Sequence, residues 1–137
     1  MEPVPQTATV PQPRPGLLTL AHVIYGLHSL SVLFGITTAA TVVGVFVFGW
    51  PSIFAVILNY VKRSDVRGTW LESHFRWQIR TFWFALLWYA IGVVLIFTLV
   101  GVLIGWGVLA GAGIWVIYRV IKGWLTLNEG RPMELKQ

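Results

Sequence analysis

Two long stretches of the chain carry no charged side chain. Pro15 to Val61 holds 47 residues without Asp, Glu, Lys or Arg, and Thr81 to Tyr118 holds 38. A spanning helix needs roughly 20 apolar residues, so each stretch has the length of a helical hairpin. The pattern predicts an all-α membrane protein of four transmembrane helices, arranged as two hairpins joined by a cationic hinge. The spans fall at about 17–33, 39–61, 78–100 and 106–124.

Between the apolar blocks lies Asn59 to Trp83, which holds seven of the fifteen formally charged residues. Within it, Thr69-Trp70-Leu71-Glu72 has the spacing of a capping box. The Thr69 hydroxyl would accept the Glu72 amide hydrogen, and the Glu72 carboxylate would reach back to the Thr69 amide. A helix is therefore expected from Trp70. Glu72 and Arg76 form an i,i+4 pair in the favourable order, with Arg80 one turn on, while Leu71, Phe75, Gln78 and Phe82 fall along another face. Such a helix continued to Val100 would extend about 46 Å against a hydrocarbon core of about 30 Å, so its first turns belong in the headgroup region. Trp70, Trp77 and Trp83 suit that depth, where an indole keeps its N–H wet.

Other boundaries are marked by breakers. Residues 1–15 carry five prolines and no apolar periodicity, which reads as a disordered tail. A signal peptide is a rival reading of the start, with Thr38-Ala39-Ala40 as a loose cleavage site, but the polar tail is a poor n-region and the apolar stretch is too long. The first turn is expected near Phe34 to Thr38. Pro51 then either kinks a second span from Ala39 to Val61 or begins a short helix after a long first one; the kinked span is the expected form. A turn at Gly101 to Gly105 precedes the last span, in which Gly107 and Gly111 make a GxxxG step suited to packing within the hairpin. Asn128 to Pro132 is a stop signal, leaving 128–137 as a second tail.

Composition agrees with a lipid solvent: 56% of residues are hydrophobic and 11% charged, where soluble chains carry about a quarter charged. All ten basic residues lie in the N-terminal tail (Arg14), the hinge (Lys62, Arg63, Arg67, Arg76, Arg80) or the C-terminal region (Arg119, Lys122, Arg131, Lys136). An excess of Lys and Arg on one side makes that side cytoplasmic, placing both termini and the hinge there. The net charge of +5 flanks apolar spans, so its expected partner is anionic lipid headgroups rather than nucleic acid. Lys62, Arg63, Arg67, Trp70, Arg76, Trp77 and Arg80 form the candidate contact surface for lipid or for a membrane protein partner, which includes a second copy of the chain.

Candidate chemistry is sparse. Cysteine is absent, which excludes disulfides, thiolate zinc sites and iron–sulfur clusters. No acidic residue lies in a span, no glycine-rich phosphate loop is present, and there is no HExxH helix. His22 and His28 sit about 120° apart on one helix and cannot converge on a metal. His22 and His74 both lie near cytoplasmic span ends, so a metal or haem held between them is an alternative to hydrogen bonding within the protein. Ser29, Ser31, Thr37, Thr38 and Thr41 have no base beside them and are expected to satisfy helix backbones. The expectation is a protein without cofactor or catalytic activity.

At the hinge the residues also carry a resemblance. Gly49-Trp50-Pro51, the run Asn59 to Arg63, and Trp70 to Gln78 resemble a family of small bacterial inner-membrane proteins of unknown function, distantly similar to the twenty-kilodalton translocon component of the chloroplast inner envelope. The motif positions are Pro51, His74, Arg76 and, one place displaced, Gln78. The resemblance implies four helices in a bacterial inner membrane with cytoplasmic termini. The chain departs from the family pattern in the long apolar segment between His22 and Pro51 and in the aromatic-rich HFRWQIR. A structural or accessory membrane subunit is the leading functional expectation, and a transport or protein-translocation component is the alternative that the resemblance suggests.

Overall fold

A computed structural model of the chain describes residues 10–37, 49–98 and 101–134. Its secondary structure there is wholly helical: α1 (Pro15–Thr37), α2 (Trp50–Val61), α3 (Leu71–Ile96) and α4 (Val102–Asn128). Among the described residues three helices, α1, α3 and α4, are long and apolar enough to cross a membrane. This is compatible with a multi-pass membrane protein, but it gives three clear spans where four are expected.

The difference lies at Pro51. Residues 39–48, the first part of the expected second span, are outside the described residues. The remainder of that span is a twelve-residue helix with Gly49 at its N-cap and Pro51 in its first turn. Proline is tolerated there because its missing N–H would have had no intrahelical partner. At 1.5 Å per residue α2 is about 18 Å long, short of the hydrocarbon thickness.

The helix ends also move. α1 begins at Pro15, where the Arg14 carbonyl accepts the Leu17 amide at 2.9 Å. α4 starts at Val102, so the expected turn over 101–105 is mostly helix. After α4, Met133 is buried and its amide donates to Ser73 Oγ at 2.8 Å.

Packing is concentrated at one end of the molecule. Leu17, Ala21, Ile24 and Tyr25 of α1 recur at helical spacing and meet Ala55 of α2, Leu71 and Phe75 of α3, and Val116, Val120 and Leu127 of α4. Val66 and Trp70, from the segment between α2 and α3, complete this core. The predicted stripe of Leu71, Phe75 and Gln78 is buried, with Phe82 at its margin. Beyond it α3 buries only Gly92, and Leu87, Val94, Phe97, Leu103 and Ile104 are exposed. Apolar side chains at that density call for a non-aqueous solvent.

The close approach within the α3–α4 hairpin is made by glycines other than the expected ones. A Cβ on Gly105 would lie 2.8 Å from the Gly92 carbonyl oxygen and 2.9 Å from the Ile96 nitrogen, whereas one on Gly107 or Gly111 would meet nothing within 4 Å. The GxxxG step therefore faces outward.

Candidate functional site: cations around Trp77

The start of α3 is set by Gly68, not by Thr69. Gly68 has φ +79°, a left-handed conformation that costs other residues about 1–2 kcal/mol. Its amide donates to Glu72 Oε2 at 2.9 Å. The Thr69 hydroxyl donates to the Val66 carbonyl at 2.7 Å, and the Thr69 amide is bonded to the same carbonyl at 3.1 Å. The capping box is thus corrected: Glu72 reaches back one residue further than expected, Thr69 closes a turn, and the helix begins at Leu71 behind Trp70. Glu72 precedes the charge-free stretch, and the Gly68 amide holds its carboxyl below the usual carboxylate range.

The cationic surface divides into two parts. Lys62 pairs with Asp65 at 3.2 Å, and Arg76 pairs with Glu72 at 3.1 Å as the spacing predicts. Arg63 and Arg67 are exposed. Two tryptophans assigned to the headgroup layer are instead buried in protein. Trp70 donates its indole N–H to Gln12 Oε1 at 3.3 Å, and Trp77 donates to the Arg119 carbonyl at 3.1 Å. Trp83 remains exposed and donates to the Tyr60 hydroxyl at 2.9 Å.

Trp77 is the centre of the second part. The Arg119 guanidinium lies 3.3 Å from the Trp77 ring centroid and 5.1 Å from that of Trp115. Its Nε donates to Thr81 Oγ1 at 2.8 Å and its Nη2 to the Trp77 carbonyl at 3.3 Å. Lys122 Nζ stands 5.8 Å from the Trp77 centroid and 5.7 Å from that of Tyr118, and Arg80 lies 5.5 Å from the Phe84 centroid. Arg80 is close enough to Arg119 to repel it. Among the described residues no carboxylate forms an ion pair with Arg80, Arg119 or Lys122. The aromatic faces hold these cations by ring quadrupoles, leaving their positive charge uncompensated by any carboxylate among the described residues. Arg119 and Lys122 read in the sequence only as the polar end of a helix; their convergence with Arg80 depends on the antiparallel register of α3 and α4.

The level of this cluster is fixed by the charge pattern. Arg80 and Arg119 bracket the 38-residue charge-free stretch, and the Arg119–Thr81 bond sets its two ends side by side. From Thr81 to Ile96 the helix extends about 24 Å. That places the cations at one boundary of an apolar slab close to bilayer thickness.

The histidines are absorbed into the packing. His74 Nδ1 is 3.0 Å from the Tyr25 hydroxyl and Nε2 is 2.7 Å from the Arg131 carbonyl. A carbonyl only accepts, so Nε2 carries the proton and the Tyr25 O–H donates to Nδ1. His22 Nδ1 accepts the Trp124 indole N–H at 3.1 Å. Both His74 nitrogens are engaged, so ligation of a metal or haem with His22 would break a buried contact. Among the described residues no group of three or more potential metal ligands gathers. Of the four positions quoted for the resemblance, His74 and Gln78 face the core, Arg76 faces outward, and Pro51 opens α2.

The hydroxyls act locally. Ser29 donates to the Tyr25 carbonyl at 2.9 Å and Thr37 to the Leu33 carbonyl at 3.1 Å. Ser31 does something different, accepting the Ser52 amide of α2 at 2.9 Å. Thr38 and Thr41 lie outside the described residues. No family model matches the chain, and no curated protein or solved structure matches it.

Proposed function

We propose that the protein is a non-enzymatic accessory subunit of the bacterial inner membrane that holds anionic phospholipid headgroups at the Arg80, Arg119 and Lys122 cluster. The observation that supports this is three cations without an acidic partner among the described residues, oriented by Trp77, Tyr118 and Phe84 at the boundary of an apolar hairpin. A phosphate there would compensate the mutual repulsion of the arginines, and each basic residue near an anionic surface contributes about 1 kcal/mol. Lipid binding to purified protein is read by native mass spectrometry. Replacing Arg80 and Lys122 together by glutamine is expected to weaken phosphatidylglycerol binding by about 30-fold, since 1.4 kcal/mol is tenfold. The Arg63→Gln/Arg67→Gln pair is expected to change it several-fold less. Equal losses in the two pairs, or undiminished binding in the first, would remove the site.

Topology belongs to the same reading. The contacts Gln12–Trp70, Tyr25–His74, His22–Trp124 and His74–Arg131 gather the start of α1, the start of α3 and the end of α4 at one end. We place that end in the cytoplasm, with the chain crossing the membrane as two hairpins joined at the cationic segment. A C-terminal alkaline phosphatase fusion is expected to be inactive and one after Phe34 active. The reverse pattern would invert the orientation.

A further inference from the structure

Three hydrogen bonds tie Arg119 to the turn of α3 between Trp77 and Thr81. The Thr81 side chain is buried, and its hydroxyl donates to the Trp77 carbonyl at 2.7 Å. With its one proton committed there, the hydroxyl can only accept from Arg119 Nε, which lies 2.8 Å away. Arg119 Nη2 donates to the same Trp77 carbonyl at 3.3 Å, and the Trp77 indole N–H returns a bond to the Arg119 carbonyl at 3.1 Å. The Trp77 ring covers one face of the guanidinium at 3.3 Å. Arg80 and Lys122 are held more loosely: both are exposed, and their charged groups stand 5.5 to 5.8 Å from the nearest ring centroids.

This clamp occupies one edge of the guanidinium and leaves the next one open. Nε and Nη2 share the edge that meets Thr81 and the Trp77 carbonyl; Nη1 and the second Nη2 hydrogen form the other. Nη1 bonds to no described residue and is not closed off from the surface, and Arg119 as a whole is partly exposed. Two parallel N–H donors in one plane match two oxygens of one phosphate, and such a fork is stronger and more directional than a point charge. Building on the headgroup reading of this cluster, we propose that Thr81 is its positioning residue. It holds Arg119 so that the open edge grips the two unesterified oxygens of one phosphodiester, while Arg80 and Lys122 supply charge around it.

Thr81→Val keeps the shape of the side chain and all three cations but removes the oxygen that receives Nε. It is expected to weaken phosphatidylglycerol binding in native mass spectrometry about fivefold, because the lipid must then order the guanidinium itself. Thr81→Ser, which keeps the hydroxyl, is expected to bind as wild type does. Wild-type binding in Thr81→Val, or an equal loss in Thr81→Ser, overturns the positioning role; a loss confined to Arg80→Gln/Lys122→Gln leaves the headgroup site standing without it. Undiminished binding in that pair removes the site and the fork together. The open edge is read in the wild-type protein, where no variant has to fold. Solid-state NMR in phosphatidylglycerol bilayers, using nitrogen–phosphorus dipolar dephasing, is expected to place the Arg119 Nη nitrogens nearer to lipid phosphorus than Nε, with Arg119 assigned from the signals lost in Arg119→Lys. Dephasing at Nε as strong as at Nη, or none at Arg119, overturns the fork.

Discussion

His74→Leu is expected to be among the most destabilising single substitutions in the chain, lowering stability by about 1–4 kcal/mol. Leucine is close in volume, so the loss comes from the two groups left behind. Tyr25 is 1% exposed, and its hydroxyl has its hydrogen bond to His74 Nδ1; the Arg131 carbonyl has its bond to Nε2. The buried Tyr25 hydroxyl, once orphaned, costs about 1–3 kcal/mol, whereas Arg131 is exposed, so water takes up part of its carbonyl's loss. The effect should also be local. His74 ties the segment after α4 to α3, and the neighbouring Met133 amide relies on Ser73 Oγ. Hydrogen exchange at Met133 is expected to quicken in His74→Leu more than exchange at Gly92. His74→Gln, which keeps a donor and an acceptor, should restore part of both. An unchanged melting temperature in His74→Leu would show that the three-way tie carries no stability.

The sequence displays the parts of this fold that depend on spacing along one helix. Uncharged length marks α1, α3 and α4, the i,i+4 rule places Glu72 beside Arg76, and the stripe through Leu71, Phe75 and Gln78 marks the buried face of α3. What it does not display depends on partners from other helices. Trp77 has the composition of an interface anchor, yet its ring is covered by Arg119, 42 residues away. Thr69 has the right spacing for a cap, but the left-handed Gly68 brings Val66 within reach of its hydroxyl first. Gly107 and Gly111 satisfy a packing motif on the wrong face, while Gly92 and Gly105 make the contact from positions 13 residues apart. Val66 lies in a polar stretch and gives no periodic signal, yet it is fully buried. The same limit hid the candidate lipid site, since neither Arg119 nor Lys122 differs in sequence from any cation that ends a span.

Gly123→Val is expected to lower stability by more than about 3 kcal/mol, whereas Gly107→Ala and Gly111→Ala should be neutral or slightly stabilising. A Cβ at position 123 would stand 2.6 Å from Tyr25 Cε1 and 2.7 Å from Cζ, and would press on the hydroxyl as well. Tyr25 cannot simply swing aside. It stacks on Trp124 with ring centroids 6.5 Å apart and 11° between planes, and its hydroxyl is bonded to His74. Overpacking a fixed core costs about 1–3 kcal/mol, and displacing the ring adds the loss of the His74 bond. Gly123→Ala carries the same clash with a smaller group, partly offset by the roughly 1 kcal/mol by which alanine favours helix over glycine. At positions 107 and 111 that propensity gain acts alone, because a Cβ meets nothing there. Thermal unfolding in one detergent should therefore rank Gly123→Val below Gly123→Ala, and both below wild type and the two outward-facing variants. A Gly123→Ala protein that melts with Gly107→Ala would mean that α1 does not press Tyr25 against this turn of α4, and the packing of α1 on the hairpin would have to be redrawn.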